Sequence, residues 1–150
     1  MRRAIELSQQ NVQSNNGGPF GAVVVKDGTI IGEGSNQVLA TNDPSAHAEV
    51  VAIRAACRSL NTFQLGGCEI YSSCEPCPMC MGLIYWARPD RVYYANTAAD
   101  AARIGFDDAM IYRELSIPPA KRSLQMQQVM HDEALRAFAA WEKKPNKPSY

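Results

Sequence analysis

The sequence predicts an α/β fold built on a mixed sheet with helices on both faces. Three observations carry that expectation. Strand and helix alternate from Cys68 to Ala95, a βαβ unit that requires a parallel pair. Two apolar, β-branched runs flank Asp27-Gly28, the signal of a tight antiparallel hairpin. Helical periodicities precede, interleave with and follow these strands, which supplies layers for both sheet faces. At 150 residues the chain is expected to be one domain, 1–150, large enough to fold on its own core.

Taken in order, residues 2 to 15 place Ala4, Ile5, Ser8 and Val12 at helical spacing, and Asn15-Asn16-Gly17-Gly18-Pro19 breaks the helix. Phe20 to Lys26 and Thr29 to Gly34 are the hairpin strands, and the glycines of the second suggest a bulge or close approach of backbone. Gln37 to Asn42 is a loop. Asp43-Pro44 reads as a cap followed by a first-turn proline, opening a helix over about Ser45 to Leu60. Its apolar positions Val50, Ile53, Ala56, Cys57 and Leu60 recur at three and four.

Gly66-Gly67 punctuates the chain before a strand over Cys68 to Ser73. Cys77 to Ala87 is a helix that tolerates Pro78 only in its first turn. A strand over Arg91 to Ala95 and a short helix over Ala98 to Ile104 follow. Leu124 to Met130 reads ambiguously as a strand, and Asp132 to Lys143 as a helix with Leu135, Phe138 and Trp141 on one side. Pro145 to Tyr150 is expected to be extended.

Composition excludes several classes. With 46% hydrophobic and 20% charged residues, the chain is neither disordered nor fibrous. No apolar run approaches the roughly 20 residues that cross a bilayer, and no apolar segment follows Met1-Arg2-Arg3 as in a signal peptide. A cytoplasmic protein is the expectation. Fifteen basic residues balance fifteen acidic ones, which argues against a nucleic-acid surface. Five cysteines, an odd number, suit reduced thiols. Cys57 and Cys68 read as core residues and His131 as a cap-region or surface residue.

One constellation carries chemistry: His47-Ala48-Glu49, then Pro76-Cys77-Pro78-Met79-Cys80. Two cysteines three apart on a first helical turn point the same way, and a helix N-terminus favours their thiolates. A histidine at the start of another helix is a candidate third ligand. Three such ligands leave zinc an open fourth position, as catalytic sites require, where it lowers the pKa of a water to about 7. Glu49 is the candidate proton carrier. On an ideal helix His47 and Glu49 would lie about 200° apart, so both reach one pocket only at a ragged first turn. Two other arrangements use the same cysteines: a thioredoxin-like Cys77/Cys80 redox pair, or a closed structural site with Cys74 as fourth ligand.

His-Ala-Glu with Pro-Cys-x-x-Cys resembles the zinc-dependent nucleobase and nucleoside deaminases. Gly18-Pro19-Phe20-Gly21-Ala22, Asn42-Asp43-Pro44, Ser73-Cys74-Glu75-Pro76-Cys77-Pro78-Met79-Cys80, Tyr85-Trp86-Ala87-Arg88 and Gly105-Phe106-Asp107-Asp108 extend the likeness to the bacterial guanine deaminases, from about residue 4 to Tyr150. The resemblance implies a cytidine deaminase-like three-layer α/β/α sandwich with a mixed central sheet. It implies one Zn2+ per subunit on His47, Cys77 and Cys80, and hydrolysis of guanine to xanthine and ammonia with Glu49 as shuttle. It also implies base contacts from Phe20, Asn36, Trp86, Asp108 and Tyr150. Chemistry agrees with each: the amide of Asn36 can donate and accept, Phe20 and Trp86 can sandwich a ring, and Asp108 can accept from purine N–H groups. The bland alternatives are a turn role for Asn36, a helix cap for Asp108, and packing for the two aromatics.

The resemblance further implies a homodimer in which residues 145–150 form a C-terminal arm swapped onto the partner subunit. The expected ligand is a small purine, with neither nucleic acid nor membrane as partner. Guanosine deamination keeps the same catalytic residues. A tRNA adenosine deaminase shares the core but needs a basic surface. A non-catalytic zinc-binding module would have no use for Glu49.

Overall fold

The computed structural model describes residues 1–148, so Ser149 and Tyr150 lie outside the described residues. The chain divides into two compact units, residues 1–111 and 112–150.

In the first unit a four-stranded sheet runs in the order β2-β1-β3-β4. The strands are β1 (Gly21–Lys26), β2 (Thr29–Ser35), β3 (Cys68–Cys74) and β4 (Arg91–Asn96). β1 pairs antiparallel with β2 and with β3, while β3 and β4 are parallel, so the sheet is mixed as expected. Asp27 and Gly28 both have positive φ, 48° and 76°, the requirement of the tight hairpin.

Helices cover both faces. α1 (Arg2–Ser14) lies on the face of Gly21, where a Cβ would come within 2.3 Å of the Ala4 carbonyl oxygen. Arg3 on this helix holds both carboxylate oxygens of Glu33 at 2.8 Å. On the other face α3 (Ala48–Leu60) and α4 (Pro78–Ala87) enclose the main core with Ala22, Val24 and Ile70. α3 approaches β2 closely because Gly32 and Gly34 lack side chains. A Cβ at either would lie within about 2.4 Å of α3 backbone oxygens, those of Ala52 and Ala48. Ala48, Ala52 and Ala56 offer the matching small face.

Local chemistry moved some boundaries. Residues 38 to 41 form a short helix, α2, within the expected loop. α3 begins at Ala48, not near Ser45, because Asp43 uses its carboxylate locally: Oδ1 accepts from the Ser45 N–H at 2.8 Å and its hydroxyl at 2.7 Å. His47 is therefore the N-cap. α4 places Cys77 at the N-cap and Pro78 at the first helical position, where its missing N–H costs nothing. α5 (Ala98–Arg103) opens on a capping box between Thr97 and Asp100. No helix among the described residues is long and apolar enough to cross a membrane.

α6 (Ala109–Ser116), not anticipated from the sequence, leads into the second unit. There the Glu114 carboxylate accepts from the Ser123 N–H at 2.8 Å, and a 3₁₀ turn spans Pro119–Lys121. Residues 124 to 130 form no strand. α7 (His131–Lys143) is the expected terminal helix. Pro145 and Asn146 form a turn, a correction to the extended reading, and Lys147 Nζ donates to the Glu142 carbonyl at 3.1 Å. His131 is exposed and lies within 3.1 Å of the Gln128 amide.

Candidate active site

Two helix N-termini meet beyond β3. His47 at the start of α3 has extended backbone, φ −68° and ψ 157°, and Cys77 at the start of α4 has φ −65° and ψ 168°. Extended capping residues escape the helical phase, which resolves the conflict between His47 and Glu49. His47 swings toward α4 from outside the helix, while Glu49 faces inward from the first turn.

His47 Nδ1 lies 3.4 Å from Cys77 Sγ and 3.5 Å from Cys80 Sγ. The three ligand atoms all fall within 4.8 Å of one another. With Zn–N and Zn–S bonds of about 2.05 and 2.3 Å, the N···S edge of a tetrahedron is about 3.6 Å. The spacing therefore fits a metal with a fourth position open, and one nitrogen with two sulfurs is a zinc donor set. Cys74 stands apart from this triangle. It is buried, its Sγ lies 3.6 Å from the Thr97 carbonyl, and burial pushes its thiol up to about 11. A closed Cys₃His site is not the arrangement present.

The cysteines are unequal. The hydrogen bond from Cys80 and the contact with His47 hold the Cys77 thiol down at about 4, against the opposing effect of burial. Cys80 is pushed up, first by that bond to Cys77 and then by burial. His47 is raised, chiefly by its contact with Cys77.

Glu49 is 6% exposed. Its Oε1 accepts from the Ser72 hydroxyl at 3.0 Å, and Oε2 lies 3.4 Å from Cys80 Sγ. Burial pushes its carboxyl above the ordinary range, while the Ser72 bond works the other way. A carboxyl raised in this way, with one oxygen fixed and the other beside the ligand triangle, is suited to take and return a proton.

The triangle opens into a cavity of about 530 Å³ lined by Phe20, Asn36, His47, Glu49, Cys77 and Asp108 among others. Phe20, Asn36 and Asp108, the candidate base contacts, thus line one cavity with the ligand triangle. Asp107 Oδ1 accepts from the Ala109 N–H, the first of α6, at 2.9 Å. Asp108 is left to the cavity, with its carboxyl raised by burial and then by the Cys77 charge. Asn36 does fill a turn role, since Oδ1 accepts from the Val38 N–H at 3.2 Å, yet the residue also lines the cavity.

Trp86 is not among the residues that line this cavity. It is 65% exposed. From Cys80, Ile84 is one turn on and buried, whereas Trp86 is six residues on, about 240° around the helix. Phe106 takes the place beside Phe20, edge to face at 4.9 Å. Its signal in the sequence was its position two residues before Asp108. Tyr150 lies outside the described residues.

Comparisons with known proteins agree with this geometry. Residues 1–96 match the family model for the cytidine and deoxycytidylate deaminase zinc-binding region. The chain is 53% identical to the guanine deaminase of Bacillus subtilis strain 168 over all 150 residues, covering 96% of that protein. The crystal structure of the Bacillus subtilis enzyme superposes with a TM-score of 0.96, covering 99% of this chain and 95% of that one. A guanine deaminase structure from Nitrosomonas europaea gives a TM-score of 0.68 at 33% identity, over 71% of this chain and 62% of that one. A tRNA-specific adenosine deaminase of Aquifex aeolicus is 47% identical over 77 residues, about half of each chain.

Proposed function

The chain belongs to the cytidine and deoxycytidylate deaminase zinc-binding family, and from that membership we propose that it hydrolyses guanine to xanthine and ammonia. The observation that carries the reading is the ligand triangle of His47, Cys77 and Cys80, with buried Glu49 beside it, in a cavity that Phe20, Asn36 and Asp108 also line. Full-length identity to a guanine deaminase selects the base.

Zinc held by His47, Cys77 and Cys80 would lower the pKa of a water at its open position, so that hydroxide would be available to add to C2 of guanine at neutral pH. Glu49 takes the proton of that water and delivers it to the ring nitrogen beside C2. A second transfer through Glu49 protonates the departing amine, so that ammonia leaves. Ser72 keeps the carboxylate from rotating away between the two transfers. Asp108 accepts from the purine N–H groups, the Asn36 amide binds the ring edge, and the Phe20 ring packs on the base. The backbone amides that open α4 would help hold the reacting oxygen.

A substrate panel with and without chelator tests the activity. Guanine should release ammonia faster than guanosine, cytosine, adenine or tRNA. Faster release from guanosine would reassign the enzyme to nucleosides. Replacing Asp108 by Ala leaves two N–H donors unpaired in a dry site and should lower kcat/KM by about 10- to 150-fold, with zinc content unchanged. Normal kcat/KM would remove Asp108 from base recognition.

We further propose a cytoplasmic homodimer in which the deaminase domain, 1–150, lends residues 145–150 to its partner as an arm over the active site. Both units carry large apolar side chains in solvent, Tyr85 and Tyr94 in the first and Leu124 and Phe138 in the second, more than a monomer ordinarily shows. On this reading Tyr150, and Trp86 from its outward position, serve the sites of the assembled pair. Deleting Ser149 and Tyr150 should reduce turnover strongly while zinc stays bound. Co-refolding Glu49→Ala chains with tail-deleted chains should restore activity, because one site regains both parts. Demonstrably mixed dimers without activity would refute the sharing.

A further inference from the structure

Asn11 sits on α1, behind the cavity wall and outside its lining. It is 3% exposed, and its side chain spends both amide hydrogens on loop backbone. Nδ2 donates to the Gly18 carbonyl at 2.7 Å and to the Asn36 carbonyl at 2.9 Å. It thereby ties the loop before β1 to the end of β2, the two segments that flank the Asn36 side chain.

Between those segments the Asn36 amide is held in one orientation. Oδ1 accepts from the Gly18 N–H at 3.3 Å and from the Val38 N–H at 3.2 Å. Two N–H donors require an oxygen at that place, which fixes the flip of the amide. Nδ2 is then the end presented to the cavity. Asn36 thus offers the substrate a donor only, a narrower role than the two-way contact the sequence suggested.

The clamp is tight on both sides. A Cβ at Gly17 would stand 2.1 Å from Asn36 Oδ1. One at Gly18 would stand 2.8 Å from the Phe20 ring and 3.0 Å from the Phe106 ring. The glycine pair is a wedge between the amide that binds the base edge and the aromatic pair that packs on its face. Asn11 is what holds the wedge to both.

We propose that Asn11 is a positioning residue for base recognition, acting through Asn36: it sets the separation at which the Gly18 and Val38 amides lock the Asn36 side chain as a donor toward the purine. The proposal rests on the purine-binding reading of the cavity. A lost lock lets the Asn36 amide turn its oxygen toward an acceptor on the base, converting an attraction into a repulsion. Removing two buried hydrogen bonds and that alignment should lower kcat/KM by about 10- to 100-fold.

A double-mutant cycle tests this, using Asn11→Ala, Asn36→Ala and both together in the full-length zinc enzyme. It is read on whichever purine the wild-type protein deaminates, so failure on guanine changes the substrate while the coupling is still measured. Zinc content and melting temperature are followed in parallel. The expected result is a 10- to 100-fold loss for Asn11→Ala in the wild-type background and less than about threefold in the Asn36→Ala background. The drop in melting temperature should be the same in both. Equal losses of kcat/KM in the two backgrounds, or no loss in the first, overturns the proposal. If Asn11→Ala does not fold, Asn11→Ser takes its place. A chain that unfolds with either substitution assigns Asn11 to folding alone and also overturns it.

Discussion

Replacing Glu49 by Ala should lower turnover by at least about 10²-fold and up to about 10⁴-fold, the range a general acid–base group supplies. The upper end is expected because one carboxylate serves every proton transfer. Its geometry is specific to the ligand triangle: Oε1 is fixed by Ser72, Oε2 lies beside Cys80, and the residue is buried. Alanine is a good helix former in the first turn of α3. The Ser72 hydroxyl loses a partner, yet the metal ligands keep theirs. Zinc content should therefore remain at one per chain, and the melting temperature should change little relative to the kinetic loss. Stopped assays on metal-loaded protein give the number. Turnover within a few-fold of wild type would remove Glu49 from the mechanism.

Stripping the metal should have an effect at least as large. Glu49 cannot deprotonate ordinary water, whose pKa of about 15.7 stands far above that of any carboxylate. A chelated sample should lose at least about 10⁴-fold in rate, and stoichiometric Zn2+ should restore it. Cys80→Ser should do the same irreversibly. The hydroxyl occupies the right place but is a poor ligand beside the retained thiolate and imidazole. Metal analysis alongside the assay separates lost binding from lost chemistry. Activity that survives complete removal of zinc would refute the metal-assisted reading, and a Cys77–Cys80 disulfide with dithiol activity would favour the redox pair.

The parts of this fold that could be read in advance were those where local chemistry and burial agree. Asp27-Gly28 needs two positive φ angles and only one turn answers, so the hairpin followed; its register holds only beside the turn, Lys26 with Thr29 and Val25 with Ile30, before a shift between Val24 and Val25. The metal ligands were legible because cysteine, histidine and proline at those spacings have few other uses. Glu49 was legible as chemistry but not as geometry, since its reach depends on His47 lying one residue outside the helix. That position was obscured by Asp43-Pro44, which looks like a cap and instead serves Ser45. For Trp86 the motif left the helical phase open: its side chain is 65% exposed and lies outside the cavity lining. Phe106 could be named from its motif but not placed against Phe20, and the role of Asn11 was invisible, because each depends on a contact with a residue distant in sequence.

The seam between β2 and α3 has a bearing on how this enzyme can change. Gly32 and Gly34 let the α3 backbone rest on the strand through Ala48, Ala52 and Ala56, with no adjustable side chain between them. A methyl group added there has no space of its own and must lift the helix bodily. The same helix carries His47 and Glu49 at its tip, so lifting it moves hydrolytic parts that tolerate little misplacement. The cavity walls proposed to contact the base belong to other segments, the loop around Gly18, the turn after Asn36 and the stretch from Phe106 to Asp108. Inheritance is thereby partitioned: mutations can remodel the substrate walls one loop at a time, while the hydrolytic machinery moves as a block or not at all. A fold of this kind can diversify among nucleobases and their larger relatives without reinventing the water chemistry, because the seam insulates one from the other.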